Sequence, residues 1–243
     1  MTTLVVYAFH DYNSRVEDFI RNATFEDPSV HFLCIANTMD IDIAVPAHVK
    51  LLKRPNIGYD FGAWSHGLFY NQNYTKYTNY IFVNSSVMGP FLPAYYKGKW
   101  TDIFVEGLEE AELFGSTINT LTDPLTKSHV QSYIFSANQT TVLFLIDRRI
   151  FSLVENARSM TDAIINREIR MSREILGAGW RIGSLMRLYR GVDFRFVDKK
   201  PADYPIKFKG DVMAPMILND TLFENYYETV FIKGNRLHVR AEV

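Results

Sequence analysis

Hydrophobic runs and polar breaks alternate along this chain in the rhythm of an α/β protein. Short runs of β-branched and aromatic residues predict buried strands, and stretches with a helical spacing of apolar residues follow several of them. The predicted strands cover residues 3–9, 30–36, 48–52, 80–83, 113–118, 130–137 and 181–186. The predicted helices cover residues 14–22, 61–70, 140–146, 150–157 and 160–176. Strands that alternate with crossover helices predict an α/β fold with a mainly parallel central sheet flanked by helices.

Length and composition favour a single folded unit with a tail. The chain has 243 residues, of which 47% are hydrophobic, which is enough to bury the core of one α/β domain. The pattern becomes irregular after Gly191, where a turn-rich stretch follows. We therefore predict one domain at residues 1–200 and a C-terminal tail at residues 201–243. The tail carries aromatic residues that predict docking on the domain: Phe223, Tyr226, Tyr227 and Phe231.

The charge balance argues against some classes of protein. The formal net charge is −1 and no cluster of Lys and Arg stands out, so the sequence lacks the basic face that nucleic-acid binding needs. No apolar run reaches the ~20 residues that span a bilayer, and the N-terminus reads as a strand rather than a signal peptide. The single cysteine, Cys34, lies in an apolar run and predicts a buried core residue. Without a disulfide framework, a reducing compartment is favoured, and we predict a cytoplasmic location.

A glycine-spaced loop precedes the second predicted helix. It runs from Arg54 through Asn56, Gly58 and Asp60 to Gly62. Glycines let a backbone approach a ligand closely, and a carboxylate such as that of Asp60 suits ribose hydroxyls or the N–H of a base. The alternative is that the glycines only shape a turn and Asp60 caps the helix. The spacing is not G-x-G-x-x-G, so a dinucleotide site is not supported.

Small polar residues end the strand at residues 80–83. Asn84, Ser85 and Ser86 follow it directly, and Gly89-Pro90 then turns the chain. In parallel sheets the carboxyl ends of strands face the ligand crevice, so a binding site is expected here. An ordinary polar turn is the alternative.

The predicted helix at residues 160–176 contains a charge at an unexpected position. On a helical wheel of about 100° per residue, Glu168 falls in the middle of the apolar half. That half comprises Met160, Ile164, Ile165, Ile169, Met171, Ile175 and Leu176. A carboxylate at a core position is costly unless it is paired or faces a cavity, so Glu168 is a candidate general base. The alternative is a structural ion pair with an arginine.

Three hydrogen-bonding side chains alternate along the strand predicted at residues 130–137 and just before it. His129, Gln131 and Tyr133 would share one face of that strand, which suits a polyhydroxy ligand. A solvated strand face explains the same pattern. The histidines of the chain show no metal-ligand spacing, so no metal site is predicted.

Five motifs in order resemble a known family. N-x-G-x-D-x-G-A-W begins at Asn56, N-S-S-V-x-G-P at Asn84 and H-V-Q-S at His129. E-x-x-x-S-x-x-I-L-x-x-G begins at Glu168, and Y-R-G-x-D at Tyr189. Together they resemble the surface-polysaccharide glycosyltransferases of the rhamnan-synthesis-F-like family of bacteria. Related GT-A-like domains occur in microbial eukaryotes and large algal viruses.

The resemblance implies a GT-A-like fold with a nucleotide-sugar-binding half at residues 1–95 and an acceptor half at residues 96–200. It implies a nucleotide-sugar donor, such as a UDP- or GDP-sugar, and a glycan or glycoprotein acceptor. The implied donor-binding residues are Tyr7, Phe9, Arg54, Asn56, Gly58, Asp60, Gly62, Asn84 and Ser86. Relatives often carry Asp where this chain has Ser85, at the place of the metal-binding Asp-x-Asp. Dependence on Mn²⁺ or Mg²⁺ therefore stays open.

The resemblance also implies how the reaction proceeds. Glu168 would deprotonate the acceptor hydroxyl in an inverting transfer, and His129 and Gln131 would contact the acceptor. Without an acidic metal pair, cations must stabilise the leaving diphosphate. The candidates are Arg54, Arg181 and Arg190. A non-catalytic nucleotide-sugar or carbohydrate-binding domain of the same fold is the alternative.

Overall fold

A seven-stranded sheet forms the centre of the part of the chain that this computed structural model describes. That part comprises residues 1–120, 127–195, 208–214 and 222–237, without the side chains of residues 222–225. The strands are β1 (Thr3–Phe9), β2 (Val30–Ala36), β3 (Val49–Lys53), β4 (Asn79–Asn84), β5 (Val87–Met88), β6 (Leu113–Gly115), β7 (Ile118–Asn119), β8 (His129–Val130), β9 (Ile134–Asn138), β10 (Ile182–Ser184) and β11 (Ile232–Lys233). The order in the central sheet is β10-β6-β9-β4-β1-β2-β3.

The central sheet is parallel except for one strand. β9 runs antiparallel to both of its neighbours, β4 and β6, whereas the other pairs are parallel. The predicted mainly parallel α/β fold is therefore confirmed. Because β9 runs backwards, its amino end meets the carboxyl end of β4, where the Asn84 N–H donates to the Tyr133 carbonyl over 3.0 Å.

Helices cover the sheet, and several begin at a side-chain cap. They are α1 (Ser14–Asp18), α2 (Tyr59–Phe69), α3 (Trp100–Glu106), α4 (Gln139–Asp147), α5 (Met160–Ala163), α6 (Arg170–Gly177) and α7 (Leu222–Thr229). α1 continues as a π-helix at Phe19–Ala23. A π-helical segment at Ile164–Ile169 joins α5 to α6. Short 3₁₀ turns lie at Tyr70–Thr75, Gly107–Glu109, Arg187–Tyr189 and Gly234–Arg236. The side chains of Asn13, Asn138 and Ser159 accept first-turn N–H groups and fix the starts of α1, α4 and α5.

The alternation of side chains along β1 divides the core into two layers. Leu4, Val6 and Ala8 pack on one face with Trp64, Phe82 and Phe135. Val5, Tyr7 and Phe9 pack on the other with Phe19, Trp100 and Phe231. Cys34 is buried in the second layer, as predicted, and burial raises the pKa of its thiol to about 12.

Two predicted strands are interrupted, and one predicted helix does not form. The stretch 113–118 divides after Gly115 into two strands that belong to different sheets. The stretch 130–137 is interrupted by a turn at Ser132 and Tyr133. The prediction that His129, Gln131 and Tyr133 share one face of a strand was therefore wrong. Residues 150–157 form a loop instead of a helix. The Ser152 hydroxyl accepts the N–H groups of Val154 and Glu155, which competes with helical hydrogen bonds. Helix α3 was not predicted.

The C-terminal segment lies against the chain that follows β4. β11 pairs antiparallel with β5, and the Phe91 N–H donates to the Val230 carbonyl over 2.7 Å. Phe231 is fully buried beside Trp100. The predicted domain boundary at residue 200, much of the 201–243 tail and the Phe223 side chain lie outside the described residues. Among the helices that are described, none is long and apolar enough to cross a bilayer.

Candidate functional site

Gly58, which caps α2, and Gly62, in its first turns, are both needed for packing within the chain. Gly58 has φ +79°, and a Cβ there would lie 2.5 Å from Asn156 Oδ1. A Cβ on Gly62 would lie 2.0 Å from the Ile57 carbonyl oxygen. Close contacts within the chain therefore account for the glycines, and a contact to a ligand by these residues stays a prediction.

An open cleft separates this loop from the loop before α5. It has a volume of about 610 Å³, within the range of small-molecule sites. Its walls are Asn56, Ile57, Gly58 and Tyr59 on one side and Val154, Glu155, Asn156, Ala157 and Arg158 on the other. Arg54 braces the first wall, because its guanidinium donates to Asn37 Oδ1 and to the Ile57 carbonyl. Burial lowers the pKa of Arg54.

The end of β4 brings three predicted donor residues together. Asn84 Nδ2 donates to Asp60 Oδ2 over 2.9 Å, and Asn84 Oδ1 accepts from the N–H and the hydroxyl of Ser86. Desolvation raises the pKa of the Asp60 carboxyl to about 6; the Asn84 hydrogen bond lowers it and the charge of Glu168 raises it further. Asp60 thus lies at the carboxyl edge of the sheet, in the first turn of α2.

Glu168 lies in the π-helical segment and faces the same edge. Its side chain is 11% exposed, and Oε1 accepts the Ser132 N–H over 2.8 Å. His129 Nε2 is 4.0 Å from Oε1, and His129 Nδ1 is 2.7 Å from the Lys127 carbonyl. A carbonyl only accepts, so Nδ1 carries a proton and Nε2 faces the carboxylate. Glu168 Oε2 accepts no hydrogen bond from the described residues.

The apolar face predicted for this helix was partly wrong. Met160, Ile164 and Ile165 are exposed, whereas Arg167, predicted on the polar half, is buried and donates to the Glu155 carbonyl over 2.6 Å. A π-helical turn holds more residues than an α-helical one, so a wheel of constant angle loses register across it. Glu168 is nevertheless buried, as predicted.

Three charged residues of this site were missed by the sequence analysis. Asp211 Oδ1 accepts from Gln131 Nε2 over 2.9 Å, and Arg236 Nη1 donates to Asp211 Oδ2 over 2.7 Å. Lys233 Nζ lies 5.5 Å from the ring centre of Tyr133. Burial lowers the pKa of Lys233, and the nearby charges of Glu168, Asp211 and Asp60 raise it. In the sequence, the basic character of the C-terminal end was the single signal for these residues.

Gln131 has little capacity left for a ligand. It is 2% exposed, its Nε2 donates to Asp211, and its Oε1 accepts from the Thr117 hydroxyl over 2.7 Å. Acceptor contact by Gln131 and by the buried His129 stays a prediction.

Tyr7 and Phe9 lie inside the core. They are 1% and 0% exposed, and Tyr7 stacks on Phe19 with ring centres 4.0 Å apart. Their contact with a donor base stays a prediction.

Of the other predicted cations, Arg181 precedes β10 and Arg190 forms an ion pair of 3.8 Å with Glu110, both near the amino end of β6. Neither reaches the carboxyl edge.

The residues at the end of β4 do not fit a divalent cation. Asn84 Oδ1 already accepts two hydrogen bonds and its Nδ2 is a donor, whereas Mg²⁺ and Mn²⁺ prefer free carboxylate and carbonyl oxygens. Within the ranges that the structure describes, no group of three or more His, Cys, Asp and Glu side chains is placed to hold a metal ion.

Fold and site define an α/β protein whose polar and charged side chains meet at the carboxyl edge of a mainly parallel sheet, the usual ligand crevice of this class. The chain belongs to the rhamnan synthesis protein F family, whose sequence model matches residues 40–228. The resemblance noted in the sequence is thereby confirmed.

Comparisons with individual proteins say less about this chain than the family match does. No curated protein matches the chain. Among solved structures, the chain is similar to the glycosyltransferase GlyE of Streptococcus pneumoniae TIGR4, with 13% identity and a TM-score of 0.44. The match covers 94% of this chain and 60% of GlyE. At this level of similarity it carries no argument about activity.

Proposed function

We propose that this chain transfers a sugar from a nucleotide-sugar donor to a glycan acceptor hydroxyl, with Glu168 as the general base. The observation that carries the proposal is that the two oxygens of the Glu168 carboxylate differ in their hydrogen bonds. Oε1 is fixed by the Ser132 N–H, whereas Oε2 has no donor among the described residues. One oxygen therefore orients the group and the other is available to take a proton.

The proposed reaction is an inverting displacement. The acceptor oxygen attacks the anomeric carbon of the donor, its proton passes to Glu168, and the bond from that carbon to the diphosphate oxygen breaks. The leaving nucleoside diphosphate keeps both electrons of that bond. His129 Nε2, which lies 4.0 Å from Oε1, the oxygen that accepts the Ser132 N–H, positions the base.

The donor is proposed to bind in the cleft beside Asn56 and Gly58 and to reach Asp60 at the end of β4. Gln131 acts through Asp211 rather than by direct contact, because both ends of its amide are engaged. We further propose a GT-A-type organisation, with the donor side in residues 1–95 and the acceptor side in residues 96–200. A UDP- or GDP-sugar as donor, a surface polysaccharide or glycoprotein glycan as acceptor, and a cytoplasmic location complete the proposal.

A thermal-shift panel of nucleotide sugars, each with and without Mn²⁺ or Mg²⁺, tests the donor. A ligand that binds the native state raises the melting temperature by mass action. We expect one nucleotide to raise it whichever sugar is attached. A panel without any shift at millimolar ligand would contradict the proposal.

A non-catalytic nucleotide-sugar-binding domain is the second candidate. Ser85, which stands where relatives often carry an Asp, favours it. Slow hydrolysis of the bound donor separates the two candidates, because a pure binding domain releases its ligand unchanged. Detectable release of nucleoside diphosphate from a UDP- or GDP-sugar would exclude the binding-domain candidate.

A further inference from the structure

Lys233 reaches the site by strand pairing. In the antiparallel pair of β11 and β5, Lys233 lies opposite Val87, three residues after Asn84. The next residue, Gly234, passes so close to β5 that an added Cβ would lie 2.8 Å from Met88 Cβ. The backbone of Lys233 is therefore held firmly beside the end of β4.

The Lys233 ammonium group lies over the Tyr133 ring, 5.5 Å from the ring centre, but it has no anionic or hydrogen-bond partner among the described residues. No described residue offers an acceptor within hydrogen-bonding distance, and no described carboxylate lies within the 4.0 Å of an ion pair. The three carboxylates that influence it are already engaged: Asp60 with Asn84, Glu168 with Ser132, and Asp211 with Gln131 and Arg236. A partly buried ammonium group that donates no hydrogen bond to the described residues is costly, so an anion is expected beside it.

A second cation lies close to this segment. The Arg15 Nε donates to the Ser85 carbonyl over 3.4 Å, and Arg15 Cδ would be 3.1 Å from a Cβ on Gly234. Its terminal guanidinium nitrogens make no hydrogen bond or ion pair to the described residues. Two incompletely satisfied cations from opposite ends of the chain thus flank the polar turn at Asn84–Ser86.

We propose that Lys233 binds the diphosphate of the donor and stabilises the charge that develops as the nucleoside diphosphate leaves. The inference rests on the proposed function and supplies the cation that Arg181 and Arg190 do not. The ammonium donates hydrogen bonds to phosphate oxygens and transfers no proton. Such charge-assisted bonds are roughly twice as strong as neutral ones, and they strengthen as the leaving oxygen gains charge.

A purely structural role makes a different prediction. If Lys233 only balances Asp60, Glu168 and Asp211, its removal changes stability and affects nucleoside and nucleoside diphosphate binding alike. If Lys233 binds phosphate, its removal affects the diphosphate alone.

Calorimetric titration of UDP, GDP, uridine and guanosine separates these roles. In Lys233→Met we expect the affinity for the bound diphosphate to fall at least about tenfold, with nucleoside affinity changed less than about twofold. Lys233→Arg keeps the cation and should retain most of the affinity. Lys97→Met, which removes an exposed lysine bonded to the Ala94 carbonyl, is the matched control.

Each outcome is decisive. Equal loss for diphosphate and nucleoside, or no loss, overturns the role of Lys233 while leaving the proposed function intact. A wild-type protein that binds none of the four ligands overturns both. If Lys233→Met does not fold, Lys233→Gln serves the same comparison, and inorganic pyrophosphate should compete with UDP or GDP on the wild-type protein.

Discussion

The two sides of the candidate site are built differently. In the loop before α2, contacts between residues three or four apart, such as Arg54 to Ile57 and Gly58 to Gly62, shape the backbone, and Arg54 also bonds to Asn37. The charged cluster of Glu168, Asp211, Lys233 and Arg236, by contrast, is joined by contacts that span tens of residues. The loop therefore depends on backbone shape, and the cluster depends on the docking of distant segments.

The largest expected effect lies in the charged cluster. Glu168→Gln keeps a side chain that can accept the Ser132 N–H but cannot take a proton. We expect transfer to fall about 10²–10⁴-fold, the usual contribution of a general base, with donor affinity within about twofold. Single-turnover assays and calorimetry on the same preparation measure the two quantities.

Glu174→Gln is the control for this variant, because Glu174 lies on α6 and pairs with Arg170 outside the cluster. Transfer should be unchanged in it. Full transfer activity in Glu168→Gln would end the assignment of the base.

The next largest expected effect is on stability, at the start of α2. Gly62→Ala would place a Cβ against the Ile57 carbonyl oxygen, a backbone atom that cannot turn aside. We expect the free energy of unfolding to fall by about 1–3 kcal/mol, as in overpacked cores. Denaturant titration measures it. Gly177→Ala, at the end of α6 with no atom within 4 Å of the added Cβ, should leave stability nearly unchanged. Equal stabilities of the two variants would show that the close approach of Gly62 to the Ile57 carbonyl is not limiting.

The smallest effect lies where the two sides meet. The pKa of Asp60 is about 6 in the folded protein and 3.8 for an ordinary Asp. The ionised carboxylate therefore destabilises the folded state, and this cost is fully present above about pH 6. Asp60→Asn should therefore raise the free energy of unfolding by about 1–2 kcal/mol at pH 7. The gain should shrink as pH falls from 6 towards 4, because the wild-type carboxyl then becomes neutral as well.

Melting curves at pH 7 and pH 4.5 measure this difference, with the exposed Asp42→Asn as control. A variant that is less stable than the wild type at pH 7 would refute the sign. Weaker donor binding by the stabilised variant would mark Asp60 as a residue kept for binding rather than for folding.

Local signals predicted the strands well. Continuous apolar runs predicted β1 and β2, whereas a binding site at the small polar residues after β4 stays a prediction. Glu168 was found because a single charge interrupts an apolar helix face. The π-helical segment went unnoticed, since periodic patterns assume a constant turn, and Arg167 was assigned to the wrong side as a result.

Lys233 and Arg236 could not be predicted in the same way. Nothing near them in sequence shows that Ile232 pairs with Met88 or that Arg236 pairs with Asp211. The prediction of a helix at residues 150–157 was wrong for a related reason. The Ser152 N–H donates to Ser65 Oγ, 87 residues away, over 2.9 Å. Tertiary partners decided these segments, and local preference did not.

The π-helical segment also gives the helix between the cleft and α6 a reserve of chain length. The cleft wall at Val154–Arg158 leads through Ser159 directly into α5, which precedes the segment. A π-helical turn holds more residues than an α-helical one, so the segment can lose one residue by returning to α-helical geometry. The number of residues between the cleft wall and α6 can therefore differ by one while both flanking helices keep their places.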